Sequence, residues 1–234
     1  MVPQLLIFDC DGVLIDSEPV AARVFQEALA TVGVAMELHD IRVRFTGFAE
    51  ADARRICMVD LGMSSADVDS VFSEADDRLS VEFARSLTLM PGIAGIVEKC
   101  PVQKCVASNS GIDRLRNSLG LFELWEMFAP DIFSADMVAK PKPAPDLFQF
   151  CATKFDVAPA RCIVIDDSPH GIVGAVTAGM TAIGFVDPAD PRDGRQSVLA
   201  AAGAREVATG SAELSIALER IFARSGEDRV AEMV

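Results

Sequence analysis

The sequence predicts an α/β protein, a doubly wound parallel sheet with an all-helical cap domain inserted after the first strand. Three observations carry this reading. Short continuous apolar runs recur along the chain, at Leu5-Leu6-Ile7-Phe8, Lys104-Cys105-Val106-Ala107, Asp131-Ile132-Phe133, Cys162-Ile163-Val164-Ile165 and Thr181-Ala182-Ile183-Gly184-Phe185-Val186. Such runs fit strands buried on both faces of a parallel sheet. Helical stripes alternate with the later runs, as an open, doubly wound sheet requires. Finally, 95 positions separate Asp9 from Lys104, whereas one β-α-β unit needs only about 30.

In chain order, the first run ends in Asp9. Ser17-Glu18-Pro19 is then a good helix start, with Asp16 and Ser17 suited to capping it. The stripe Val20, Ala21, Val24, Phe25, Ala28, Leu29 and Val32 follows with a 3.6-residue period, and Gly33 ends it. Ile56 and Val59 suggest another helix. Val68, Val71, Phe72, Ala75 and Leu79 make a third after Ser64-Ser65. Residues 16–87 are therefore expected to form the cap, and residues 1–15 and 88–224 the sheet domain, which restarts at Met90-Pro91-Gly92. Within it, Ile112, Leu115 and Leu119 form one stripe, closed by Gly120. Leu147, Phe148, Cys151, Ala152 and Phe155 form a second. Ile172 to Ala178 is a small-residue helix stopped by Gly179, with Gly171 and Gly174 allowing close packing. Residues 187–195 are expected to be a polar loop and 225–234 a loose tail.

Composition narrows the function. The 234 residues carry a net charge of −14, and aromatic residues are few, with no Tyr and one Trp. An acidic chain without a basic block is a poor ligand for nucleic acid or anionic membranes. No apolar run is long enough to span a bilayer, and the N-terminus lacks a basic signal-like region. The six Cys form no C-x-x-C pair and read as buried small hydrophobes of a cytoplasmic protein. Two His cannot build a His-rich metal centre, and neither a G-x-S-x-G elbow nor a phosphate loop of the G-x-x-x-x-G-K-[ST] type is present. Carboxylates are what the chain has in excess.

In an open α/β sheet, ligands bind beyond the carboxyl ends of the strands. There the sequence delivers Asp9-Cys10-Asp11-Gly12, then Ser108-Asn109-Ser110-Gly111, then Lys140-Pro141-Lys142-Pro143-Ala144-Pro145-Asp146, then Asp166-Asp167-Ser168. Four carboxylates in one crevice resist joint ionisation unless cations join them. A divalent metal and a lysine would leave a tolerable charge, and oxygen-only donors point to Mg²⁺ rather than Zn²⁺. Hydroxyls and amides at a helix start make an anion cradle. A carboxylate nucleophile, a metal, an anion cradle and a lysine together describe phosphoryl transfer.

These motifs resemble the haloacid-dehalogenase-like (HAD) hydrolase superfamily. They are Asp9-x-Asp11-Gly12-x-x-x-Asp16-Ser17-Glu18, Lys142-Pro143-Ala144-Pro145-Asp146-x-Phe148 and Asp166-Asp167-Ser168-x-x-Gly171. The pattern is most similar to the β-phosphoglucomutase-like branch, whose helical cap follows the first strand. The resemblance implies an Mg²⁺-dependent phosphatase of a small phosphorylated metabolite. Asp9 would attack phosphorus and become an aspartyl-phosphate. Asp11 would serve as acid and then base, and its backbone carbonyl would bind the metal. Asp9 and Asp167 would be the side-chain metal ligands, with Asp166 either touching the metal or supporting through water. Ser108 and the Asn109 amide would hold phosphoryl oxygens, and Lys142 would link Asp9 to the phosphate. Lys142 rather than Lys140 has the family spacing.

Other readings stay open beside these. The Asn109 side chain either reaches substrate or serves the turn. Glu18 faces the crevice in the resemblance, which makes it a candidate substrate contact. In the segment Arg42-Val43-Arg44-Phe45-Thr46-Gly47-Phe48, expected between the first two cap helices, Gly47 permits close approach to a ligand. Arg44 there either meets an anionic substrate group or is a surface arginine. His170 reads as a surface residue at a helix start. The mutase members carry a cap His and an Arg where this chain has Ala21 and Glu50, which argues for hydrolysis over a phosphomutase reaction. The Val-Ala-Ser-Asn-Ser and Val-Ile-Asp-Asp-Ser segments are similar to 6-phosphogluconate-type sugar-phosphate phosphatases. A dehalogenase or a non-enzymatic phospho-ligand-binding or partner-binding protein of the same fold are the remaining alternatives. A monomer or weak dimer is expected.

Overall fold

Leu5–Phe8 (β1) lies at the centre of the sheet in a computed structural model of the chain, which describes residues 2–45 and 50–231. All four β1 residues are buried, as a strand covered on both faces must be. The other strands are β2 (Gln103–Ser108), β3 (Ile132–Ser134), β4 (Cys162–Asp166), β5 (Thr181–Val186) and β6 (Glu206–Thr209). All pairings are parallel, in the order β3-β2-β1-β4-β5-β6. Strand order therefore reverses at β1, flanked by β2 and β4, and ligands bind at such switch points. The β1 register, Phe8 opposite both Val106 and Ile165, brings the ends of three strands to one level.

The chain divides into two compact units. One comprises Met1–Ile15, Leu89–Asp190 and Gly194–Val234; the other comprises Asp16–Thr88 with Pro191–Asp193. In the sheet unit, α5 (Ile93–Glu98), α6 (Ile112–Leu119), α7 (Leu124–Phe128), α8 (Asp146–Lys154), α9 (Pro169–Thr177), α10 (Arg195–Ala201) and α11 (Gly210–Ala231) flank the strands; the four helices numbered before them belong to the second unit. Successive strand residues face opposite ways. Leu5 and Ile7 join Cys105, Leu147, Phe148, Val164 and Ile172 in one core cluster, while the Phe8 ring meets Phe128 edge-on at 5.7 Å. All six Cys are free thiols.

The second unit holds α1 (Glu18–Thr31), α2 (Leu38–Phe45), α3 (Glu50–Val59) and α4 (Ser65–Ser86). Its core is built from Ala28 and Leu29 of α1, Ile41 of α2 and Val71 of α4. Phe25 stacks against both Phe45 and Phe72 at 4.9 and 5.3 Å. Ser64 caps α4, accepting from the Asp67 N–H.

Five expectations need correction. Glu206–Thr209 is a sixth strand, which its brevity and the single buried residue Ala208 concealed. Arg42–Phe45 is not a connecting segment but the end of α2, because Ile41 and Phe45 pack on the α1 face at helical spacing. Ser17 stands at the N-cap of α1, yet its side chain makes no capping bond. It adopts helical φ and ψ, a poor capping geometry. Helix α11 runs to Ala231, where residues 225–234 were expected to be a loose tail. Pro191–Asp193 also groups with the helical unit rather than with the sheet. No helix among the described residues is long and apolar enough to cross a membrane.

Candidate active site

The turn after β1 is closed by backbone bonds from Leu14 and Ile15 N–H to the Cys10 carbonyl. Gly12 adopts φ +75°, and a Cβ there would come within 2.5 Å of Asp167 Oδ2. A left-handed residue without a side chain is thus required where the β1 and β4 loops meet. This close approach gathers the carboxylates. Asp9, Asp166 and Asp167 each offer an oxygen, the three lying within 4.8 Å of one another. An all-oxygen, all-carboxylate set of this size fits a hard divalent cation.

Lys142 sits against this cluster. Its Nζ donates to Asp9 Oδ1 and to Asp166 Oδ2, both at 2.8 Å, and its side chain is only 3% exposed. Burial opposes the ammonium charge, but Asp166 and Asp9 outweigh it and hold its pKa above the usual lysine value. The Asp9 carboxyl is pushed up to about 7, chiefly by burial, with the Asp166 and Asp11 charges adding and Lys142 opposing. Burial, aided by Asp11 and Asp9, lifts the neighbouring Cys10 thiol well above its ordinary range and keeps it inert.

Asp166 is fully buried. Its Oδ1 accepts from both the N–H and the hydroxyl of Ser168 at 3.0 Å, while Oδ2 takes Lys142. Its two oxygens are thus engaged by protein donors, which favours the supporting reading over direct metal contact. Gly171 is essential to this packing, because a Cβ would lie 1.9 Å from the Asp166 carboxyl carbon.

Asp11 receives Ser110 Oγ–H on Oδ2 at 2.8 Å and Arg114 Nη2 on Oδ1 at 3.2 Å. Ser108 is buried, and its hydroxyl accepts from Ser110 N–H at 3.1 Å. The Asn109 side chain is committed to the turn. Its Nδ2 donates to the Lys142 carbonyl at 3.1 Å, and its Oδ1 accepts from Lys142 N–H at 2.9 Å. Asn109 therefore clips the lysine loop in place.

Glu18, Arg44, Lys140 and His170 each have their own local surroundings. Glu18, in the first turn of α1, pairs with Arg192 Nη2 at 3.3 Å within the helical unit. Arg44 pairs with Asp60 at 3.4 Å on an exposed surface. Gly47 lies outside the described residues. Lys140 is exposed, and His170 is half-buried in the first turn of α9. Sequence reasoning missed Ser110, Arg114, Arg192 and Arg195. Ser110 stands in the Ser108–Gly111 motif, and the arginines stand in segments that read as a generic helix and a polar loop.

The haloacid dehalogenase-like hydrolase family matches residues 3–179. The chain belongs to this family. It is 27% identical over 194 residues to the 6-phosphogluconate phosphatase of Escherichia coli K12, covering 81% of this chain and 85% of that one. It is 30% identical over 198 residues to hexitol phosphatase B of the same strain, covering 81% and 86%. Among solved structures, a HAD family hydrolase from Deinococcus radiodurans R1 with bound phosphate and sodium superposes with a TM-score of 0.79 at 29% identity, over 94% of this chain and 96% of that one. This HAD hydrolase thus places its acidic cluster and lysine at the switch point of its sheet.

Proposed function

We propose that this HAD hydrolase is an Mg²⁺-dependent phosphoric monoester hydrolase, acting on a phosphorylated sugar or sugar acid through Asp9. One observation carries the reading: Lys142 bonds Asp9 at 2.8 Å within a cluster of carboxylates, of which Asp9 and Asp167 are placed to hold a cation. The substrate class is supported by the relatives, whose names specify 6-phosphogluconate and hexitol phosphates.

Asp9 and Asp167 would hold the metal through their side chains and Asp11 through its carbonyl, with Asp166 behind them. Bound there, Mg²⁺ would neutralise phosphoryl oxygens and the carboxylates around them. The residues do the rest. The Ser108 hydroxyl and the Asn109 amide hold phosphoryl oxygens, and Lys142 orients Asp9. Asp9 forms an O–P bond as the bond to the leaving oxygen breaks, and Asp11 gives that oxygen a proton. Asp11 then takes a proton from water as the water attacks phosphorus, which releases phosphate and restores Asp9. Ala21 and Glu50 favour water over a second sugar as acceptor; Glu50 is engaged by Arg54 Nε at 2.6 Å.

The test is phosphate release from a panel of sugar and sugar-acid phosphates with Mg²⁺. One phosphate per substrate is expected, with no bisphosphate retained. Asp9→Asn should remain folded and lose turnover by several orders of magnitude. Full Mg²⁺-dependent turnover in that variant would refute the nucleophile.

A further inference from the structure

The polar segment after β5 brings a cation to the back of the acidic cluster. Gly194, at φ +73°, turns the chain into α10, whose first residue is Arg195. Arg195 Nη2 donates to the Asp167 backbone carbonyl at 2.5 Å, and Nε pairs with Asp190 Oδ2 at 3.3 Å. Both side chains are nearly buried, at 11% and 5% exposure. A buried guanidinium is held this way only where its donors find fixed acceptors.

The peptide that Arg195 grips is the one joining Asp167 to Ser168. Its carbonyl faces Arg195, and its N–H, on the other side of the same rigid plane, donates to Asp166 Oδ1 at 3.0 Å. Asp166 in turn holds Lys142, and Lys142 holds Asp9. Fixing that one plane therefore fixes two things. It sets the direction in which the Asp167 side chain leaves the backbone, and it seats the carboxylate that anchors the lysine.

We propose that Arg195, braced by Asp190, is a positioning residue for the cation site, acting through the Asp167–Ser168 peptide and touching neither metal nor substrate. The inference rests on the proposed metal site. Partners behind metal ligands commonly govern affinity by about 10- to 100-fold. Arg195 would do so through a backbone carbonyl rather than through a ligating side chain.

Calorimetric Mg²⁺ titration of the full chain tests it without any substrate. Arg195→Met should weaken Mg²⁺ binding by about tenfold or more, and Arg195→Lys should recover part of that loss. Arg195→Met should also melt lower in EDTA, because the nearly buried Asp190 loses its Arg195 partner, so the titrations are compared at a temperature where both proteins are folded. An unchanged Mg²⁺ affinity in Arg195→Met would overturn the proposal. Should that variant not fold, Asp190→Asn decides, since it keeps the guanidinium but removes its brace: weaker binding supports the proposal and unchanged binding overturns it. Wild-type protein that binds no Mg²⁺ would overturn the metal site itself, and the inference with it, a result distinct from equal binding by wild type and variant.

Discussion

Replacing Lys142 by Met is the most direct test of the buried charge network. Met preserves the apolar stem, which lies near the Phe148 ring with Nζ 5.2 Å from its centroid, and removes only the charge and its donors. In the wild type, raising Asp9 from its ordinary 3.8 to about 7, at about 1.4 kcal/mol per pH unit, means that ionising it costs the fold roughly 4 kcal/mol. The sign follows from proton binding. Between about pH 4 and 7 the folded state holds a proton on Asp9 that the unfolded state has lost, so this group makes stability fall as pH rises through that window. Lys142 is held protonated, its pKa raised, so its own contribution persists throughout. Without Lys142, Asp9 should titrate higher still, and Asp166 is left buried without its cation. The variant should therefore lose about 3–5 kcal/mol at pH 8. At pH 5.5, where Asp9 takes up a proton, the loss should be markedly smaller. Urea unfolding in EDTA at the two pH values measures both, and adding Asp166→Asn should restore part of the loss. An equal loss at both pH values would refute the argument that Lys142 offsets the Asp9 charge.

Two further variants probe the supports of this network. Asn109→Ala removes both side-chain bonds to the Lys142 backbone and should cost about 1–3 kcal/mol, with kcat falling more than KM rises; a melting curve and kinetics identical to wild type would show that the clip is idle. Gly171→Ala places a methyl 1.9 Å from the Asp166 carboxyl carbon, whereas Gly174→Ala meets Phe148 Cε2 at 3.0 Å and the Ala144 and Pro143 carbonyl oxygens at 3.2 and 3.3 Å. The first should destabilise the metal-free protein by more than about 3 kcal/mol and the second by less, a ranking that thermal melts in EDTA would confirm or reverse.

The sequence made the strands legible where burial is complete. Leu5–Phe8 and Cys162–Ile165 carry no polar side chain because both faces of the sheet are covered. Edge position hid Glu206–Thr209, since only one of its four residues is buried. At the site, Asp9, Lys142 and Asp166 were readable because their spacing and strand-end positions are local properties. Their supports were not, because each is a long-range contact. Arg114 reaches Asp11 across 103 positions, and Asn109 reaches the Lys142 backbone across 33. Arginine in a polar segment gives no local sign that it will be buried, so Arg192 and Arg195 became visible only once the loop after β5 had been folded.

For the proposed function, the charge arrangement implies an order of binding. When Asp9, Asp166 and Asp167 are all ionised, Lys142 offsets one of the three charges, and two negative charges remain in the crevice. The Arg114 charge is directed at Asp11, and the Arg195 charge is matched by Asp190. A chain of net charge −14 adds a field that opposes an approaching anion at long range. A phosphate dianion entering such a crevice would meet like charge with little water to screen it. Protonation of Asp9, whose pKa stands near 7, relieves one charge but also blocks the proposed nucleophile. A divalent cation relieves two and leaves the carboxylate ionised. Under the proposed function the metal would therefore precede the substrate: the acidity that would repel a phosphate ester from the cluster would draw in the cation that makes its binding favourable.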